Sequence, residues 1–172
     1  MKHLKLYKIN YSDRELVLNW RKKKLVNNFL LKKKITKKEH HDWFKEKMNS
    51  KKFSAWIIRY CKKKIGLTQI DKTTDANVCN AGFYTISKNY SFLTFEIMNI
   101  IHQLIFIKLK LKKISSYISK ANINFRKLNK YNGYKEFNEL EFNNKFIYTS
   151  LKKTDWLKSK SFCYFKKKYG KL

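Results

Sequence analysis

Ser12 stands three residues before Glu15, and Leu16, Val17 and Trp20 then recur at helical spacing, so a first helix is expected to begin at this capping-box pattern and fray near Lys22 to Lys24. Leu25 to Leu31 reads as a further short turn of helix. Thr36 and Glu39 repeat the capping pattern, and His40, Trp43, Phe44 and Met48 gather on one side of a second helix with Lys37, Lys38 and Lys45 on the other. From Phe53 the period changes. Ala55 to Tyr60 is β-branched and aromatic, Lys62 to Lys64 reads as a polar turn, and Ile65 to Ile70 follows as the second arm of a hairpin. Val78 to Ile86 is a third strand, with Gly82 where a backbone bends or is closely approached.

Phe95 to Leu109 is apolar almost all round, the pattern of a helix laid in a core. Glu96, Asn99, His102, Gln103 and Lys108 interrupt it, which disfavours a membrane span, and His102 reads as a core histidine. Lys113 to Ser119 is a strand and Asn122 to Asn132 a helix stopped by Gly133. Tyr134 to Phe142 and Lys145 to Leu151 form a closing hairpin around Asn143 and Asn144. Helices, three strands, helix, strand, helix and two strands fit one α/β domain with a mixed sheet and helices on both faces. Residues 158 to 172 are lysine-rich with scattered aromatics and are read as a surface tail behind a domain of residues 1 to 157.

The length, 172 residues with 43% apolar and 16% aromatic side chains, allows one domain with a real core. A formal charge of +29 draws polyanions nonspecifically, but 37 of the 41 basic residues are lysine, the exceptions being Arg14, Arg21, Arg59 and Arg126. Phosphate and guanine readers favour the planar fork of arginine, and the lysine triplets are scattered over helix, loop, turn and tail, so the charge reads as a solvated surface. Cys61, Cys79 and Cys163 lack the spacing of a metal or redox pair and read as free thiols of a cytoplasmic protein. His40 and His41 diverge by about 100° on a helix, so no metal site is expected there. No unbroken apolar segment follows the first residues, and no apolar run approaches the roughly 20 residues of a membrane span.

The stretch Asn122-Ile123-Asn124-Phe125-Arg126-Lys127-Leu128-Asn129-Lys130-Tyr131-Asn132-Gly133-Tyr134 resembles the strand-end Asn, helix and terminal Gly-Phe/Tyr of the GNAT N-acetyltransferases. Leu18-Asn19-Trp20-Arg21, Ile35 to His40 with Trp43, Ile65-Gly66, Ala81-Gly82-Phe83-Tyr84, Phe106 to Ile114 and Ser150 to Trp156 resemble further landmarks of that family in the same order, over roughly residues 4 to 157. The branch it most resembles contains the pseudaminic-acid-pathway nucleotide-sugar N-acetyltransferases, beside the ribosomal-protein N-terminal acetyltransferases. The resemblance implies a mostly antiparallel sheet with a splayed central strand pair, and acetyl transfer from acetyl-CoA to a primary amine. The expected acceptor is an amino-sugar nucleotide or else a protein N-terminus.

By the same resemblance the strand backbone from Gly82 to Ile86, with Phe83, Tyr84 and Thr85, receives the thioester, and Lys88, Ser91, Phe92, Leu93, Thr94 and Asn122 contact the cofactor. Phe92 and Thr94 stand where the family carries glycines, and Asn129 stands where it carries the tyrosine acid, with Tyr131 two residues on. Trp20, Arg21, His40 and Trp43 are the acceptor-site candidates, arginine for a phosphate and tryptophan for a ring. Two alternatives remain: a GNAT-fold binding or scaffold component without turnover, and a small basic RNA- or ribosome-associated protein.

Overall fold

The structure is a computed structural model describing residues 3–30, 34–137 and 144–170. The chain divides into two compact units, Met1–Asp71 with Ala81–Leu93, and Lys72–Asn80 with Thr94–Leu172.

In the first unit, Leu4 and Leu6 alternate with Lys5 and Tyr7 in β1 (Leu4–Lys8), a strand that the sequence pattern does not predict. Its five residues give too short an alternation to stand out beside the neighbouring helix signals. The first capping box is made by Asn10 and Asp13, not by Ser12 and Glu15: Asn10 Oδ1 accepts from the Ser12 N–H at 3.0 Å, and Asp13 Oδ2 accepts from the Asn10 N–H at 3.2 Å. A 3-10 turn over Tyr11–Asp13 then leads into α1 (Arg14–Lys22) and the single turn α2 (Lys24–Asn27), shorter than the Leu25 to Leu31 expected. Leu31 lies outside the described residues. The second box is as read, with Thr36 Oγ1 accepting from the Glu39 N–H at 3.2 Å and Glu39 Oε2 from the Thr36 N–H at 2.8 Å, starting α3 (Lys37–Asn49).

β2 (Phe53–Tyr60) and β3 (Lys63–Lys72) form the hairpin, but its turn is only Cys61 and Lys62, since Tyr60 already faces Lys63. Cys61 takes φ 55°, the left-handed conformation that so tight a reversal requires. A bulge between Ile58 and Arg59 takes the register from Ile58↔Gly66 to Arg59↔Lys64. Ile9, Val17, Trp20, Phe44, Ala55, Ile57 and Leu67 bury together as the core of this unit. Each fully buried aliphatic there contributes about 1.5–3 kcal/mol, so α1 and α3 are held by this face more than by their intrinsic helicity.

β4 (Val78–Thr85) supplies its first residues to the second unit, where it pairs with β5 (Lys113–Ser119) in parallel through Val78↔Lys113, Cys79↔Ile114 and Asn80↔Ser115. α4 (Thr94–Gln103) buries Ile97, Met98 and Ile101 and continues into a π-helical turn over Leu104–Lys108 that buries Ile105 and Phe106. The helical stretch Lys88–Lys108 spans 21 residues and is long and apolar enough by composition to cross a membrane, longer than the apolar run read from the sequence. Its burial of Ile97, Ile101, Ile105 and Phe106 is that of a core helix.

Asn122 caps α5 (Ile123–Tyr131), and Gly133 at φ 90° ends it before β6 (Lys135–Phe137). β7 (Phe146–Lys152) pairs with both β5 and β6 in antiparallel fashion. The closing hairpin is thus present, although β6 is shorter than the Tyr134 to Phe142 expected, and residues 138–143, Asn143 among them, lie outside the described residues. The strand order is β1-β2-β3-β4-β5-β7-β6, a mixed and mostly antiparallel sheet as expected.

The expected surface tail is helical. After α6 (Lys153–Leu157), Ser159 caps α7 (Lys160–Tyr169), whose Ser161 and Phe165 are buried. Phe165 lies 4.8 Å from Phe95 in a stacked pair, and Ser161 donates to Asn132 Oδ1 at 2.8 Å. One buried aromatic per three turns among lysines is too sparse a pattern to read as an amphipathic face in advance.

Candidate active site

In the first unit α1, α3 and β4 bring four polar or aromatic side chains together. Trp20 is buried in the core, and the next residue, Arg21, half-buried, holds its guanidinium over the Trp43 ring at 5.5 Å. His40, three residues before Trp43 on α3, lies 5.6 Å from that ring and is fully buried. Its Nε2 is 3.0 Å from the Arg14 carbonyl. A carbonyl only accepts, so the proton sits on Nε2, and Nδ1 keeps a bare lone pair that is buried without a hydrogen-bond partner. Burial holds the His40 pKa below that of an ordinary histidine, with the Arg14 carbonyl opposing and Arg21 adding to the shift, so the ring is neutral.

Tyr84 of β4 joins them, a contribution that the sequence assigned only to the cofactor. Its hydroxyl is buried with no partner, as is Arg21 Nε. Burial pushes the Tyr84 phenol well above its usual value, against the pull of Arg21, and burial lowers Arg21 in turn. Leaving such atoms unpaired costs on the order of 1–3 kcal/mol each, and two of them, His40 Nδ1 and the Tyr84 hydroxyl, belong to groups that interact electrostatically with Arg21, whose own Nε is the third. His41 turns away from this cluster to Glu15, at 2.6 Å.

Beyond Asn80 the backbone of β4 belongs to the first unit and bonds to β3: Thr68 Oγ1 donates to the Gly82 carbonyl at 3.1 Å and the Ile86 N–H to the Ile65 carbonyl at 2.9 Å. Phe83 and Thr85 are half-buried on this strand. The next turn, Lys88–Leu93, is a 3-10 helix with Lys88, Ser91 and Phe92 exposed and Leu93 buried. The Phe92 ring is 63% exposed and leans edge-on against Tyr60 at 5.9 Å, so it does not fold back over its own turn. The turn carries one lysine and no acid, a charge that suits a phosphate.

In the second unit, Thr94 begins α4 with Glu96 in its first turn. Asn122 spends its side chain on the cap of α5, accepting from the Phe125 N–H at 3.4 Å. Asn129 is buried, with Oδ1 unpartnered, while Tyr131 is 40% exposed with its ring 5.6 Å from Phe95. The two residues therefore do not substitute for each other in position. His102 donates to or accepts from the Tyr134 hydroxyl at 3.1 Å in the core, as its sequence context suggested.

An acetyltransferase (GNAT) domain model matches residues 3–135. The chain belongs to the GNAT acetyltransferase family. Among solved structures, the GNAT chain is similar to the Campylobacter jejuni N-acetyltransferase PseH in complex with acetyl coenzyme A, at 24% identity and a TM-score of 0.65, covering 87% of this chain and 99% of that one. It is also similar to spermidine N-acetyltransferase from Vibrio cholerae in complex with CoA and spermine, at 13% identity and a TM-score of 0.77, covering 91% and 99%. At these identities the likeness is one of fold. No curated protein matches the sequence. The mixed sheet and the GNAT assignment agree with what the motifs implied.

Proposed function

We propose that this GNAT protein is an acetyl-CoA-dependent N-acetyltransferase whose acceptor is an amine on a nucleotide-linked sugar, held by Trp20, Arg21, His40 and Trp43. The observation that carries this reading is the Arg21 guanidinium, half-buried over Trp43 beside the unpartnered Tyr84 hydroxyl and His40 Nδ1. A cation desolvated in this way favours an anionic acceptor such as a diphosphate and repels a polyamine. Trp43 offers a ring face for stacking, and a hydroxyl of the acceptor would donate to His40 Nδ1. A protein N-terminus is the second acceptor class, although its ammonium gains nothing from Arg21.

For the cofactor, the β4 backbone at Phe83, Tyr84 and Thr85 is read as the donor to the thioester carbonyl, which gains negative charge as the amine attacks. Lys88, Ser91, Phe92, Leu93 and Thr94 are read as the pyrophosphate turn, and Asn122 as a contact near the pantetheine. The neutral amine nitrogen forms the new C–N bond and gives up a proton to water or a base, and as the C–S bond breaks the departing thiolate takes a proton, for which Tyr131 is the candidate donor. A second reading, binding without turnover, is favoured by one observation: buried Asn129 at the family's tyrosine position has no acidic proton to give.

Calorimetric titration with acetyl-CoA, followed by thiol release in the presence of an amino-sugar nucleotide, spermidine or a peptide N-terminus, separates these readings. Saturable binding with release only for the amino-sugar nucleotide is expected. Binding with no release for any amine would leave the scaffold reading, and no binding at millimolar acetyl-CoA would reject both.

A further inference from the structure

Gly66 lies in the middle of β3, where glycine costs stability unless something needs the space. A Cβ placed there would stand 2.1 Å from the Tyr84 carbonyl oxygen and 3.1 Å from Thr85 Cα, both backbone atoms of β4. No real Cβ tolerates the first of these distances, so β3 and β4 would have to separate by on the order of 1 Å. β3 is not the strand that yields. Gly66 pairs with Ile58 of β2 at the edge of the bulge, and the burial of Ile58, Ile65 and Leu67, 0%, 0% and 3% exposed, holds this part of β3 in place. The displacement falls on Tyr84.

We propose that Gly66 is a positioning residue for the acceptor pocket: its missing side chain seats the Tyr84 carbonyl on β3, and that seating delivers the Tyr84 hydroxyl to Arg21. The inference rests on the reading of Arg21, His40 and Trp43 as that pocket. Tyr84 packs against the core formed by Val17, Trp20, Phe44 and Ile57, so the ring has a fixed path from backbone to hydroxyl. A shift at its carbonyl is passed on to the far end of the side chain. Small displacements of this kind cost up to about a hundredfold in rate where geometry decides.

The test uses the full chain labelled with 3-fluorotyrosine, the Tyr84 resonance being assigned by its loss in Tyr84→Phe, and uridine diphosphate as the probe of the pocket. In Gly66→Ala the Tyr84 resonance should move and the affinity for uridine diphosphate should fall about tenfold or more, a difference of about 1.4 kcal/mol. Gln69→Ala, exposed on the same strand, should change neither. An unmoved Tyr84 resonance in Gly66→Ala overturns the proposal, whatever the ligand does. Failure of the wild-type protein to bind uridine diphosphate would instead count against the pocket assignment, while the resonance still decides the role of Gly66. Should Gly66→Ala not fold, the wild-type protein decides: a strong NOE between the Gly66 and Thr85 Hα protons is expected, and its absence overturns the proposal.

Discussion

Replacing Phe165 by alanine tests whether the C-terminal helix is part of the fold. The side chain is fully buried, stacked 4.8 Å from Phe95 and 5.7 Å from Tyr169. Deleting a buried phenylalanine removes its transfer free energy and leaves a cavity, together worth about 3–5 kcal/mol. In a chain of this size each kcal/mol moves the melting temperature by about 2–4 °C, so Phe165→Ala should melt roughly 6–20 °C below the wild type. Tyr164, the preceding residue, is 44% exposed, and Tyr164→Ala should cost less than about 1 kcal/mol. Urea denaturation at neutral pH, with thermal melting beside it, measures both. A Phe165→Ala protein within about 2 °C of the wild type would refute the packing argument and return residues 158 to 172 to the status of a surface tail.

Burial holds His102 down to about 3, so the unfolded chain takes up a proton near its ordinary value while the native chain does not; stability should fall as pH drops from about 6.5 toward 3, by up to about 1.4 kcal/mol per pH unit from this group. A His102→Gln variant should flatten that limb in a pH series of urea titrations. Gly133→Ala places a Cβ 3.1 Å from the Asp155 carbonyl at φ 90° and should cost about 1–3 kcal/mol by thermal melting. Arg126 grips Glu136 through two bonds of 2.8 Å, and these hold the Glu136 carboxyl below the usual range. Glu136→Gln should therefore be less stable than the wild type at pH 7, and the gap should close as acid protonates the native carboxyl.

The helix and strand types were legible wherever the period ran for two turns or more, as in α3 and β5. What escaped were features set by three-dimensional context. The capping box moved from Ser12 to Asn10 because a 3-10 turn intervenes, and Asp13 there makes the reciprocal bond usually made by a glutamate. β1 was invisible because its inward leucines count only once β2 lies beside it. Of the candidate site, Arg21, His40 and Trp43 were named through the family motifs they resemble, and the structure brings them together. The share of Tyr84 was not legible, because its strand position says which way the ring points only after the sheet is built. Gly66 was noticed as part of a motif, yet its reason, the approach of a neighbouring carbonyl, exists only in space.

The wide turn at the end of α4, where the Leu109 N–H reaches back five residues to the Leu104 carbonyl at 2.9 Å, holds one residue more than an α-helical path would need. Losing a single residue within Leu104–Lys108 would let the last turn close with ordinary helical bonds, but it would shorten the link to β5 and displace the buried Ile105 or Phe106. The wide turn is therefore where the helix sets the length of chain that reaches the next strand.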